Sequence, residues 1–286
     1  MKKFTGILLV SDFDGTFYGG VNDGYYKNIA EIERFKDNGG LFAFATGRDY
    51  YSLHELEPNA GIIANSPIVL ANGSRLYDIN KKEYILNYTL NMNLFSEILE
   101  IIHKKYFDIG IRFSCENGIV VNELNDIIRK DFADVFLPNV TLREMPFKEL
   151  ANSGEKVYKC VIVHDPEKVD DARKIGENFK SESNINREFL FTKSYPRGLE
   201  IVNAQASKGA MAIKLKEYLT VRDNINYKLF AIGDYDNDFD MLNLADIGAA
   251  PANALDHVKS AAKVHTVNCK DGAVADFIKI IERDYI

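Results

Sequence analysis

Asp12 and Asp14 stand two residues apart at the end of an apolar run, Ile7-Leu8-Leu9-Val10, and Gly15-Thr16 follow them. An apolar run this short, bounded by a turn signal, predicts a strand buried on both faces. In extended chain, side chains at i and i+2 point the same way. The spacing therefore predicts that the two carboxylates converge on one small volume. Like charges that close raise each other's pKa and destabilise the fold unless something offsets them. A hard divalent cation such as Mg²⁺, which prefers oxygen ligands, is the natural offset. Gly15 lets the chain turn sharply after the pair. An isolated Asp-x-Asp-Gly is as readily a strand followed by an ordinary turn, so matching groups elsewhere must decide.

Such groups follow two further apolar runs. Leu41 to Ala45 ends in Thr46-Gly47-Arg48, and Leu229 to Ile232 ends in Gly233-Asp234-Tyr235-Asp236-Asn237-Asp238. Lys208 lies in the first turn of a helix that Ser207 caps. In open parallel sheets, ligands bind outside the carboxyl ends of the strands, which would gather these remote motifs in one crevice. Each then meets a need of phosphoryl transfer. An aspartate can attack phosphorus and form an aspartyl-phosphate. A second carboxylate can protonate the leaving oxygen and later activate water. Further acidic residues can hold Mg²⁺. A hydroxyl, adjacent backbone N–H groups and a lysine can bind the transferring oxygens. Singly these are ordinary features. Thr46-Gly47-Arg48 is usually a strand-to-loop turn, and most lysines are solvated. The acidic cluster after a buried strand is stronger, because it is electrostatically expensive without a cation. In order and together the motifs are highly specific.

The elements that must position these groups alternate strand and helix. Asn28 to Asn38 reads as a helix stopped by Gly39-Gly40, and another is expected from about Tyr50. Ile62-Ile63 and Ile68-Val69-Leu70 read as short strands, the latter ending in Ala71-Asn72-Gly73-Ser74. This pattern predicts an α/β fold, a Rossmann-like doubly wound parallel sheet. The texture changes near Lys81-Lys82-Glu83. Helices are expected at Leu94–Ile102, Asn125–Phe136 and Pro166–Lys180. Strands are expected at Ile111–Cys115, Ile119–Val121, Val157–His164 and Arg187–Lys193, with a hairpin signal at Glu116-Asn117-Gly118. That is an α+β unit with a mainly antiparallel sheet. Parallel texture resumes after Leu199-Glu200-Ile201-Val202. The expected organisation is a core of residues 1–82 and 190–286 with an inserted α+β cap at 83–189.

Composition narrows the function class. The chain has 286 residues, with 46% hydrophobic and 27% charged, enough for a large core and two domains. A formal net charge of -7 disfavours nucleic acid as a partner. No apolar run approaches a membrane span. Three dispersed cysteines suit a reducing compartment, so a cytoplasmic location is expected. The five histidines form no zinc spacing.

The motif set resembles the haloacid dehalogenase superfamily of phosphatases, with its D-x-D-G-T, Thr or Ser, Lys, and G-D-x-x-N-D motifs. Ala71-Asn72-Gly73, Leu199-Glu200-Ile201 with Ser207-Lys208-Gly209, and Gly233 to Met241 extend the resemblance to the Cof-type subfamily, whose large cap matches the inserted unit. The resemblance implies that Asp12 is the nucleophile and Asp14 the general acid/base. It implies that Asp12, Asp14 (through its backbone carbonyl) and Asp234 bind Mg²⁺, with Asp238 supporting. It further implies that Thr46, Gly47, Arg48, Lys208 and Asn237 hold the phosphate. The chain departs from the subfamily at Phe13 and Phe17-Tyr18, where leucines are more frequent, which bears on packing more than on chemistry.

The expected activity is Mg²⁺-dependent hydrolysis of a small phosphorylated metabolite, such as a sugar phosphate, by a monomer or weak homo-oligomer. A phosphomutase or phosphotransferase could use the same aspartyl-phosphate. A phospho-receiver module also clusters Asp, Thr and Lys, but it is much shorter and needs no cap. A silent binding protein would have lost the residue at Asp12. Arg112, Arg143, Tyr158, Lys159 and His164 are the cap's candidates for substrate selection. For each of them an ordinary surface or packing role is the commoner one.

Overall fold

The computed structural model describes residues 2–135, 142–185 and 187–286. In chain order, β1 (Ile7–Ser11), α1 (Asp23–Asp37), β2 (Leu41–Phe44), α2 (Tyr50–Leu56), α3 (Ala60–Ile63), β3 (Ile68–Leu70), β4 (Arg75–Asp78) and β5 (Glu83–Asn87) come first. Next are α4 (Met92–Lys105), β6 (Gly110–Cys115), β7 (Gly118–Val121), α5 (Asp126–Val135), β8 (Leu142–Glu144), α6 (Phe147–Asn152), β9 (Val157–Val163), α7 (Pro166–Glu182), β10 (Phe189–Tyr195) and β11 (Gly198–Asn203). The chain ends with α8 (Lys208–Asp223), β12 (Lys228–Ile232), α9 (Phe239–Leu244), β13 (Ile247–Pro251), α10 (Asp256–Ala261), β14 (Val264–Thr266) and α11 (Ala273–Asp284).

Two compact units result. The first comprises Met1–Arg48, Leu56–Leu86 and Ser207–Ile286. Its main sheet has the order β14-β13-β12-β1-β2 and is parallel throughout. Leu8, Leu9 and Val10 are fully buried, so both faces of β1 are covered, as expected for a central parallel strand. The chain winds outward from β1 through α1 to β2 and returns on the other side as β12, which makes β1 the switch point of a doubly wound α/β sheet. A separate small sheet, β3-β4-β5, completes this unit.

The second unit comprises Asp49–Glu55 and Asn87–Ala206. Its sheet runs β10-β11-β9-β6-β7-β8 and is antiparallel except where β7 meets β8. Phe113, Cys160, Ile162, Phe191 and Ile201 lie in one apolar cluster with Phe95, Ile98 and Leu99 of α4. On alternate positions the same strands carry Arg112, Ser114 and Glu200, the period-2 pattern of a sheet with distinct faces.

Three expectations differ from the structure. The boundary expected at 189/190 falls too early, because β10 and β11 are hydrogen-bonded into the second unit's sheet through β9. Ile62-Ile63 is not a strand but the end of α3, closed by Ile63 N–H to Asn59 O at 2.9 Å, with Ile62 exposed. Two apolar residues are too few to tell a helical turn from a strand. The first helix begins at Asp23 rather than Asn28, because the Asn22 side chain accepts the Tyr25 amide and caps it there. Phe136, the expected end of the helix from Asn125, lies outside the described residues. Among the described residues, no helix is long and apolar enough to cross a membrane.

Candidate active site

The site grows from the register of three strands. Ser11, the last residue of β1, pairs with Ile232 on β12 and with Phe44 on β2. The residues that follow these positions therefore leave the sheet at one level. The Asp12 amide donates to Ile232 O at 2.9 Å, and the Ala45 amide to Ser11 O at 2.8 Å. Asp12, Gly233-Asp234 and Thr46 thus emerge side by side.

Asp12 is buried. Its Oδ1 accepts a hydrogen bond from Lys208 Nζ at 2.6 Å, while Oδ2 is buried with no partner among the described groups. Lys208 Nζ also donates to Asp238 Oδ1 at 2.7 Å. Asp238 Oδ2 is taken by the amides of Asp234 and Tyr235, at 3.0 and 3.1 Å. Both Asp238 oxygens are therefore engaged in holding Lys208 and the loop after β12. Asp234 Oδ1 accepts the Thr16 hydroxyl at 2.8 Å. Asp12, Asp234 and Asp238 each present a ligand atom within 4.8 Å of the others.

Three carboxylates around one ammonium leave excess negative charge. Burial, reinforced by Asp238, holds the Asp12 carboxyl well above the usual carboxylate range. The same causes push Asp234 up to about 7. Burial alone would lower Lys208, but Asp12 and Asp238 outweigh it and hold its pKa above the ordinary value. Oxygen-only donors, surplus charge and the unpartnered Asp12 Oδ2 together fit a hard divalent cation.

The two carboxylates expected to converge do not. β1 ends at Ser11, so the chain is no longer extended between Asp12 and Asp14. It turns there instead, with Gly15 N–H bonded to Tyr18 O and Tyr18 N–H to Phe13 O. The Asp14 side chain is 48% exposed and lies outside the acidic cluster. Its two oxygens accept from Arg48 Nε and Nη2, both at 2.8 Å. Arg48, expected to touch phosphate, thus forms a bidentate pair with Asp14. Thr46 is fully buried, and its Oγ1 accepts the Arg48 amide at 3.1 Å. Gly47 follows Thr46 in the same loop.

Several residues at the site carried no assigned role in the sequence. Thr16 anchors Asp234. Asn72, in the left-handed region at φ 55°, accepts from Asn237 Nδ2 at 3.1 Å. Asn253 donates to Gly15 O at 2.7 Å and accepts the Cys269 amide at 2.9 Å, bracing the turn after Asp14. The available signal was an Asn-Gly pair ending the β3 segment and a Thr completing the first motif, but their partners are remote in sequence. Gly15 is required twice over. It has φ +80°, and a Cβ there would lie 2.5 Å from Asp234 Oδ2.

The cap candidates are paired within their own unit. Lys159 Nζ donates to Glu200 at 2.8 Å, both buried, and Arg112 Nε to Asp131 at 2.9 Å. Arg143 donates to Glu155 at 2.6 Å, His164 Nδ1 accepts the Asp165 amide at 2.6 Å, and Tyr158 is buried.

A sequence model of haloacid dehalogenase-like hydrolases matches residues 9–278. The chain belongs to this family of enzymes. A similar curated protein is the Bacillus subtilis 5-amino-6-(5-phospho-D-ribitylamino)uracil phosphatase YwtE, 26% identical, with 93% of this chain and 95% of that protein aligned. Among solved structures, a haloacid dehalogenase-like hydrolase from Bacteroides thetaiotaomicron has a TM-score of 0.72 at 25% identity, covering 96% of this chain and 99% of the other. SMU.1108c from Streptococcus mutans has a TM-score of 0.77 at 21% identity, covering 96% and 97%. The Cof-type haloacid dehalogenase-like fold therefore spans both units of the chain.

Proposed function

We propose that this haloacid dehalogenase-like hydrolase is a Mg²⁺-dependent phosphatase acting on a small phosphorylated metabolite, through an acyl-phosphate formed on Asp12. The observation that carries the reading is the state of the Asp12 carboxylate. One oxygen is fixed by Lys208 and the other is buried without a hydrogen-bond partner, in a carboxylate that clusters with Asp234 and Asp238. A carboxylate held in one orientation with a free oxygen is suited to in-line attack.

In this reading Asp12 attacks phosphorus, and the bond from phosphorus to the leaving oxygen breaks. Asp14, oriented by Arg48 at the exposed edge of the site, gives the departing oxygen its proton. It then takes a proton from the water that hydrolyses the acyl-phosphate. Lys208, Thr46, Gly47 and Asn237 balance and hold the phosphoryl oxygens. Asp12, the Asp14 carbonyl and Asp234 would hold Mg²⁺, with Asp238 supporting. The ion's contribution is to offset repulsion between anionic nucleophile and anionic phosphate.

The inserted unit supplies substrate selection in this reading. The substrate class is a phosphomonoester on a sugar or sugar-like chain, which the ribityl phosphate in the name of the Bacillus relative supports. The test is a panel of phosphorylated metabolites with Mg²⁺, read as released inorganic phosphate. Release that Asp12→Asn abolishes supports the assignment. An isomerised sugar phosphate with no free phosphate would make the chain a mutase instead.

A further inference from the structure

The loop after β13 has no part in the catalytic roles above, yet it reaches two of the site's loops at once. β13 is the parallel neighbour of β12, so its carboxyl end opens at the same edge of the sheet. Just beyond it, Asn253 Nδ2 donates to Gly15 O at 2.7 Å. Further along the same loop, the Leu255 amide donates to Asp234 O at 3.0 Å. The other end of the Asn253 amide is fixed as well, because its Oδ1 accepts the Cys269 amide at 2.9 Å. One planar side chain thus spans from the Cys269 backbone to the turn that carries Asp14.

Gly15 is the residue at which that turn can most easily change shape, because glycine has the widest choice of backbone conformations. The peptide group before it is held, since Gly15 N–H donates to Tyr18 O at 2.9 Å. Thr16 anchors the turn on the other side through its hydroxyl on Asp234. The Gly15–Thr16 peptide group lies between these anchors, and a peptide group between fixed neighbours can still turn about its flanking bonds. Asn253 holds the carbonyl of that group. Asp14 adjoins it. The bidentate pair with Arg48 orients the Asp14 carboxylate but not the backbone that bears it. That backbone is set by the turn.

We propose that Asn253 is a positioning residue for Asp14. By holding the Gly15 carbonyl it fixes the turn, and the turn fixes where the Asp14 carboxylate meets a departing oxygen. The catalytic consequence rests on the phosphatase reading and on the acid role given to Asp14, but the positional claim does not.

The test compares two variants of the full chain at saturating Mg²⁺, on phenyl phosphate and para-nitrophenyl phosphate. Asn253 is exposed, so its replacement leaves the core intact. Asn253→Asp keeps an acceptor for the Cys269 amide but loses the donor to Gly15 O, whereas Asn253→Ala loses both. The two substrates are close in shape, but only phenoxide needs a proton badly as it leaves. Both variants should therefore lower kcat/KM for phenyl phosphate by about 10- to 100-fold, the scale of an ångström-sized misplacement. With para-nitrophenyl phosphate the loss should stay within about threefold. An equal loss on both substrates would mark a general structural or binding role and overturns the proposal. So does a defect in Asn253→Ala alone, which would trace to the Cys269 contact. Variants within about twofold of the parent on both substrates overturn it too. In an Asp14→Asn background, Asn253→Ala should change kcat/KM for phenyl phosphate by less than about twofold, and an undiminished loss there overturns the proposal. A crystal structure of Asn253→Ala reads the position without any assay. The Gly15 carbonyl should have turned and the Asp14 carboxylate should have left Arg48, and retention of both overturns the proposal. A parent chain inactive on every phosphomonoester would overturn the phosphatase reading and leave this structural comparison standing.

Discussion

Lys208 Nζ reaches Asp12 Oδ1 across 196 residues of sequence, at 2.6 Å, and both groups are buried. Removing the cation leaves Asp12 and Asp238 facing each other without compensation. Breaking a buried pair by deleting one partner costs on the order of 3–5 kcal/mol. Lys208→Met is therefore expected to be strongly destabilised in chelator at pH 8 by urea denaturation. The defect should shrink at pH 5, where protonation of Asp12, whose carboxyl is held above the usual range, removes one of the two facing charges. A variant as stable as the parent at pH 8 would show that the ammonium does not balance this cluster.

The acidic cluster also sets a pH dependence. Unfolded aspartates titrate near about 4, whereas the folded Asp234 sits at about 7 and Asp12 is also raised. Over that window the folded chain holds more protons than the unfolded one, so stability must fall as pH rises. Acids with lowered values, such as Glu282 and Asp171, act oppositely, but their stabilisation is lost only as pH falls below the ordinary carboxylate range. In EDTA the melting temperature should therefore decline from pH 5 to pH 7. Saturating Mg²⁺, binding only the folded site, should raise it most at the upper end. A melting temperature that climbs across this range in EDTA would contradict the protonation states assigned to Asp12 and Asp234.

Much of this site was legible because its parts are local. A buried apolar run ending in an acidic group marks the end of a strand, and that pattern alone marked Asp12 and Asp234. Ser207 followed by Lys208 is a helix start that can be read without any partner. The direction of Asp14 was not legible, since alternation holds only while the chain stays extended, and the strand stops at Ser11. The boundary near residue 190 failed for another reason. β10 and β11 are apolar runs that could join either sheet, and only their pairing through β9 assigns them. Thr16 stood in plain view, but its partner Asp234 is 218 residues away.

That distant bond gives a third expectation. Thr16→Val keeps the volume and removes the donor to Asp234 Oδ1. Groups that orient metal ligands from outside typically contribute 10- to 100-fold in affinity or activity. Mg²⁺ titration of phosphatase activity should show a weaker apparent metal affinity of about that size, with KM for substrate little changed. An unchanged Mg²⁺ requirement together with a raised KM would place Thr16 on the substrate instead.

Asp12 and Asp14 should fail in different ways, because the structure separates them. Asp12 is buried beside Lys208, whereas Asp14 is half-exposed and paired with Arg48. Asp12→Asn removes the attacking oxygen, and turnover should nearly vanish. Asp14→Asn leaves the nucleophile intact but slows leaving-group protonation and water activation. General acid–base help is worth on the order of 10²–10⁴-fold, the loss expected with a sugar phosphate whose alkoxide leaves poorly. With para-nitrophenyl phosphate, whose leaving group barely needs a proton, the first step should suffer less. The acyl-phosphate should then accumulate, because its hydrolysis still lacks a base. Rapid acid quench and mass spectrometry would locate it. A phosphoryl group on Asp14, or near-normal turnover by Asp12→Asn, would reverse the roles of the pair.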